Sequence, residues 1–217
     1  MLVVGVAFGA ATIGSLYAFF TSFTERAPPL GGWAAATSVW NELFAIGLLT
    51  YVLGRQGRRF AQLGLRPTWT DLPRSFMLVA VAVLVIAAAL AVGATAYRTL
   101  TGRSVPPSRD LIPFARAGIG VSTVILIALS ALFEELIGRA YVISEIVAMT
   151  DSRAAAIAVS VLVQAVYHLY QGLPQALAAG AVFLVFSLYY VRTGLLFPII
   201  LAHLYLDALG MFAYARL

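Results

Sequence analysis

The chain is a succession of apolar runs. Two of them are "MLVVGVAFGAATIGSLYAFFTSF" at residues 1–23 and "FMLVAVAVLVIAAALAVGATAY" at residues 76–97. Each is long enough to cross a hydrocarbon core of about 30 Å at about 1.5 Å per residue. In lipid every backbone polar group must be bonded within the structure, so spanning segments are helices or the strands of a closed barrel. None of these runs shows the alternation of a barrel strand. The expected fold class is all-α, a polytopic transmembrane helical bundle. Of 217 residues 62% are hydrophobic and 11% charged, with a mean hydropathy of +0.95, and no stretch is left over for a soluble domain. Residues 1–217 therefore read as a single integral membrane domain.

Seven spans are placed at 2–24, 32–53, 75–97, 117–149, 153–171, 174–191 and 195–215. Pro28, Pro29, Gly31 and Gly32 punctuate one joint; Gly102, Pro106 and Pro107 punctuate another. At a third, Gly172 ends one helix and Pro174 opens the next. The first run lacks the basic flank and small-residue cleavage site of a signal peptide and is read as a mature span.

Cysteine is absent, which excludes disulfides, thiolate metal sites and cysteine nucleophiles. All fourteen basic residues are Arg. They flank the spans instead of lining one soluble surface, which argues for headgroup contact and against nucleic-acid binding. One face carries Arg55, Arg58, Arg59, Arg66, Arg74, Arg153 and Arg192, the other Arg26, Arg98, Arg103, Arg109, Arg116 and Arg216. The dense "GRQGRRF" cluster directly after the second span assigns the first face to the cytoplasm. Exclusive use of Arg over Lys points to a GC-rich bacterial genome, hence to a bacterial inner membrane.

Against this apolar background "ALFEELIGRAY", residues 131–141, is an anomaly. A charge near the bilayer centre costs about 2.5–3.5 kcal/mol on insertion scales, so such residues face a bundle interior or a wet cavity and pair with one another. Glu135 and Arg139 are four apart with the glutamate N-terminal, the favourable orientation for a helical ion pair, and are read as neutralising each other. Glu134, about 100° round an ideal helix from Glu135, is left as the candidate reactive carboxylate.

Both histidines also lie within spans. Asp151 in the turn "TDSR" is 17 residues after Glu134 and 17 before His168. Two antiparallel helices leaving that turn bring Glu134 and His168 to the same depth, facing one another. In "HLYLD" His203 and Asp207 are four apart and share a face. Pro198 upstream is expected to bend that span and free a carbonyl near the site. Gln164, Tyr167 and Tyr170 are expected around the site, and Glu42 is given interfacial solvation or helix packing. Any one membrane His or Asp can serve as interhelical hydrogen-bond glue, worth about 0.6 kcal/mol on average. Glue does not require both histidines, an unpaired Glu and an Asp to converge on three late helices.

These residues resemble the CPBP or Abi family of intramembrane proteases, which includes the type II CAAX prenyl endopeptidases. The family motif EExxxR appears as Glu134-Glu135-Leu136-Ile137-Gly138-Arg139, FxxxH as Gln164-Ala165-Val166-Tyr167-His168, and HxxxN or HxxxD as His203-Leu204-Tyr205-Leu206-Asp207. The resemblance covers about residues 117–210 and puts the site among the last four spans. Gln164 departs from the family's Phe, which alters the packing around His168.

The resemblance implies an endopeptidase in which Glu134 and His168 activate a water while His203 and Asp207 stabilise or position the oxyanion, with Glu135 and Arg139 in support. A carboxylate in a desolvated pocket can serve as general base, and preorganised donors lower the barrier to the oxyanion. An ionised Asp207 cannot itself donate, so it must be protonated or orient His203. The same Glu134, His168, His203 and Asp207 could instead hold zinc with an open water position. The HExxH scaffold is missing, and the metal-free, cofactor-free mechanism is preferred. The implied partners are a membrane-bound or membrane-delivered peptide or protein and the bilayer itself. A proton-coupled transporter would show repeats with broken helices, and no such repeat is visible. A non-catalytic immunity factor or chaperone of the same fold would keep its function in Glu134→Gln.

Overall fold

The structure, a computed structural model, describes residues 2–21, 32–102 and 121–214. They form helices α1 (Leu2–Thr21), α2 (Gly32–Arg55), α3 (Asp71–Thr101), α4 (Val121–Phe133), α5 (Val142–Thr150), α6 (Arg153–Tyr167), α7 (Leu173–Thr193) and α8 (Phe197–Tyr214). A π-helix at Glu134–Tyr141 joins α4 to α5 without a break, so the eight helices make seven rods, and no strand occurs among the described residues. The joints at Pro28 to Gly31 and at Pro106 and Pro107 lie outside the described residues, as do Arg26, Arg103, Arg109, Arg116 and Arg216.

Local chemistry accounts for the ends. α3 begins at Asp71, earlier than the expected residue 75, because the Asp71 carboxylate accepts the Thr68 N–H at 2.7 Å and so closes the preceding turn. Pro73 then falls in the first turn, where an N–H is not needed. α5 ends on Asp151 in the left-handed region (φ 53°), and the Ser152 hydroxyl accepts the Ala155 N–H at 3.2 Å to start α6. A 3₁₀ turn at His168–Gln171 closes α6, and Gly172 (φ 98°) leads into α7 with Pro174 in its first turn. Pro198 is the second residue of α8. It opens that helix rather than bending it, and the kink expected there does not arise.

The segment after α2 folds back over one end of the bundle. The Leu196 N–H donates to the Gly64 carbonyl at 3.0 Å, the Tyr190 hydroxyl to the Leu63 carbonyl at 3.2 Å, and Arg58 pairs with Glu145 at 2.8 Å. Gly64 (φ 82°) is required here, since a Cβ would collide with the Gly194 carbonyl. The α2–α3, α5–α6 and α7–α8 connections thus share an end, with the Arg residues that flank them.

α3 packs on α7 and α8, α6 on α5 and α7, α1 on α2 and α6, and α2 on α4. The rod from Val121 to Thr150 runs through the centre, and all eight residues of its π segment are buried. Phe8, Phe133, Leu136, Ile137, Phe186 and Ile199 fill the core around it. Among the described residues five helices are long and apolar enough to cross a membrane, over Leu2–Phe20, Ala36–Arg55, Asp71–Ala96, Arg153–Gln171 and Leu173–Thr193. Large apolar side chains such as Ile13, Leu84, Val92 and Leu162 point outward, an arrangement stable only against lipid.

Candidate active site

The π segment is the foundation. Its hydrogen-bond ladder runs i to i+5, widening the helix where Glu134, Glu135 and Arg139 project. Two of its carbonyls take side-chain donors from α6: Gln164 Nε2 donates to Glu134 O at 3.2 Å, and Ser160 Oγ to Gly138 O at 2.7 Å. Ser160 and Gln164 are four apart on one face and wholly buried. Gly138 makes this approach possible, because a Cβ there would lie 2.6 Å from Gln164 Nε2 and 3.0 Å from Phe8 Cζ.

On this base sits a buried polar chain. Arg139 grips Glu135 with two hydrogen bonds, Nε to Oε2 at 2.7 Å and Nη2 to Oε1 at 3.2 Å, both side chains fully buried. The guanidinium also lies over the rings of Phe183 and Phe186, at 5.4 and 5.3 Å. Glu135 has a second partner that the sequence did not reveal: His203 Nδ1 donates to its Oε1 at 2.7 Å. The Glu135–Arg139 pair is thus the anchor of His203 as well as a self-contained neutralisation. His203 Nε2 then faces Asp207 Oδ2 at 3.7 Å.

Glu134 points elsewhere. Its Oε2 lies 3.9 Å from His168 Nε2 and is buried without a hydrogen-bond partner. His168 Nδ1 lies 2.8 Å from the Gln164 carbonyl. A carbonyl only accepts, so Nδ1 carries the proton, and in the neutral ring Nε2 presents a lone pair towards Glu134. Phe183 separates the two imidazoles, 5.3 Å from His168 and 5.9 Å from His203, and Tyr167 meets His168 edge-on at 5.0 Å. Tyr170 lies over the other side of His168 at 6.5 Å.

Glu134, His168, His203 and Asp207 all open onto one cavity of about 530 Å³. The four side chains come from three of the last four rods, but α1, α2 and α3 also supply walls, through Ser15, Glu42 and Leu90 among others. The cavity thus extends beyond the last four rods. Ser15 shows why: its hydroxyl donates to Val166 O at 3.0 Å and accepts from the Tyr170 N–H at 2.8 Å, tying α1 to the turn that carries His168. Glu42 is not solvated at an interface. It is 4% exposed, and its Oε1 accepts from Ser130 Oγ at 2.6 Å. Among the described residues no three His, Cys, Asp or Glu side chains converge as a metal would require. One nitrogen of each imidazole is engaged, by Gln164 O or by Glu135, and Nε2 of each is left facing Glu134 or Asp207.

Residues 116–209 match the family model described as type II CAAX prenyl endopeptidase Rce1-like. No curated protein and no solved structure matches the chain. The matched segment contains all three motifs, and the model is that of a family of the kind they resemble. It supports intramembrane endopeptidase activity of the CAAX-protease kind and, with the apolar helices, an integral multi-pass membrane protein.

Proposed function

We propose, with the Rce1-like domain of residues 116–209 as the premise, that the chain hydrolyses a peptide bond in a membrane-associated or lipidated peptide, with Glu134 as general base and no metal. The observation that carries this reading is the pair of free acceptors facing one cavity, Glu134 Oε2 and His168 Nε2, 3.9 Å apart. A water within about 2.8 Å of both gives one O–H to each, and its lone pair is left aimed at the cavity. As a substrate carbonyl is attacked, Glu134 takes the first proton and passes it to the leaving nitrogen.

The oxyanion that forms needs donors already in place. His203 spends Nδ1–H on Glu135, so it stabilises an oxyanion from Nε2 only as imidazolium. Glu135 holds its Nδ1, and Asp207 Oδ2 lies 3.7 Å from its Nε2. Asp207, with 37% of its side chain exposed, is then a charge partner that orients His203 and need not donate itself. The cell membrane of a bacterium is the proposed location.

The test is terminal peptidomics of membranes from cells lacking the protein, complemented with wild type or with Glu134→Gln. A defined cleaved terminus should return with wild type alone. If no terminus differs and Glu134→Gln restores the deletion phenotype, the protease reading falls and a non-catalytic role replaces it.

A further inference from the structure

Glu42 is a carboxylate of the cavity, beside Glu134 and Asp207, that the chemistry above does not use. It lies inside the apolar helix α2, where a carboxylate is retained only for a reason. Its Oε1 is fixed by the Ser130 hydroxyl at 2.6 Å, while its Oε2 is buried with no hydrogen-bond partner among the described residues. Both residues line the cavity that also holds Glu134. Ser130 is four residues before Glu134 on the central rod, so the hydroxyl that holds Glu42 sits about one helical turn before the water-activating glutamate on the same face. Arg139, the cation nearest in sequence to this wall, is fully committed to Glu135.

We infer that Glu42 and Ser130 form an amine subsite, which receives the nitrogen released when the substrate peptide bond breaks. The inference rests on the peptidase reading. Water adds its oxygen to the carbonyl carbon, the C–N bond breaks, and one water proton travels by Glu134 to the leaving nitrogen. The second water proton leaves the new carboxyl group and is also taken up by the nitrogen, so the products are a carboxylate and an ammonium, with no oxidant or reductant involved. The ammonium departs from the carbon beside Glu134 and meets a carboxylate oriented by Ser130 with one oxygen unclaimed. A charge pair formed at this buried wall is stronger than one in bulk water, which draws the amine product away from the acyl product and opposes resynthesis of the bond.

The probe is decylamine, with decanol as its uncharged counterpart, titrated by thermophoresis into the full-length protein in neutral detergent micelles. No cleavage is needed, so this readout stands apart from the peptidomics test: an inactive wild type that still prefers the amine through Glu42 sinks the peptidase reading alone. Wild type should bind decylamine about tenfold more tightly than decanol, Glu42→Gln should reduce that preference to about twofold, and Glu134→Gln should retain it. Ser130→Ala, which leaves the carboxylate but frees it to turn, should lower the preference about threefold. Should Glu42→Gln show no thermal unfolding transition, Ser130→Ala decides alone, and an unchanged preference overturns the subsite. A preference that survives Glu42→Gln in folded protein, or that is lost in Glu134→Gln instead, also overturns it.

Discussion

His203 and Glu135, 68 residues apart in sequence, are joined by a 2.7 Å hydrogen bond from Nδ1 to Oε1. Glu135 therefore serves Arg139 and His203 at once, and it is wholly buried. Glu135→Ala strands a buried guanidinium and releases the imidazole. Breaking one side of a buried ion pair costs about 3–5 kcal/mol, and unfolding in detergent should show a loss of that size. Arg58 and Glu145, 2.8 Å apart with 29% and 18% of their side chains exposed, are the contrast. Arg58→Ala should cost under about 1 kcal/mol and leave proteolysis unchanged.

Gly138 and Gln164 interlock, so their substitutions should be non-additive. Gly138→Ala pushes a Cβ to within 2.6 Å of Gln164 Nε2 and displaces the donor that holds the Glu134 carbonyl. Adding Gln164→Ala removes the clash. A double-mutant cycle on stability should give a coupling of about 0.5–3 kcal/mol, whereas two independent sites would add within about 0.5 kcal/mol.

Ser160→Ala leaves the Gly138 carbonyl without its side-chain donor, and Gln164→Leu does the same to Glu134 O. Both carbonyls keep their place in the i to i+5 ladder, so each lost side-chain bond costs about 0.5–1.5 kcal/mol. The two should separate in function. Gln164→Leu acts on the residue that bears the general base and should lower kcat more than Ser160→Ala at equal loss of stability.

His203→Leu removes the oxyanion donor with a modest change in volume. The loss of one such donor lowers kcat by about 10²–10³. Asp207→Asn, which removes only the charge partner 3.7 Å away, should do less. Equal effects would mean that Asp207 itself contacts the oxyanion.

Much of the bundle was legible because apolar run length is a strong signal, and the seven rods appear where the runs do. Asp151, midway between Glu134 and His168, was enough to bring those two to one depth. The π segment was not legible. Apart from Gly138, "EELIGRAY" reads as ordinary helix, and the bonds that Ser160 and Gln164 make to its carbonyls come from a different helix. In retrospect Gly138 inside the charged motif, with Ser160 and Gln164 four apart on α6, is the trace of it. The His203–Glu135 and Glu42–Ser130 bonds are contacts between distant helices, which periodicity along one helix does not report. The cavity walls from α1 to α3 escaped for the same reason, since Ser15 looks like any small residue in an apolar run.

The measurement that bears most directly on the account is the single-turnover rate on a substrate peptide found by peptidomics, for purified wild type, Glu134→Gln and wild type treated with 1,10-phenanthroline. With Glu134 as the general base, Glu134→Gln should lose at least about 10²–10⁴ in rate, while the chelator leaves wild type unchanged. A Glu134→Gln rate within about tenfold of wild type, or a chelator that abolishes turnover, would contradict the metal-free glutamate mechanism.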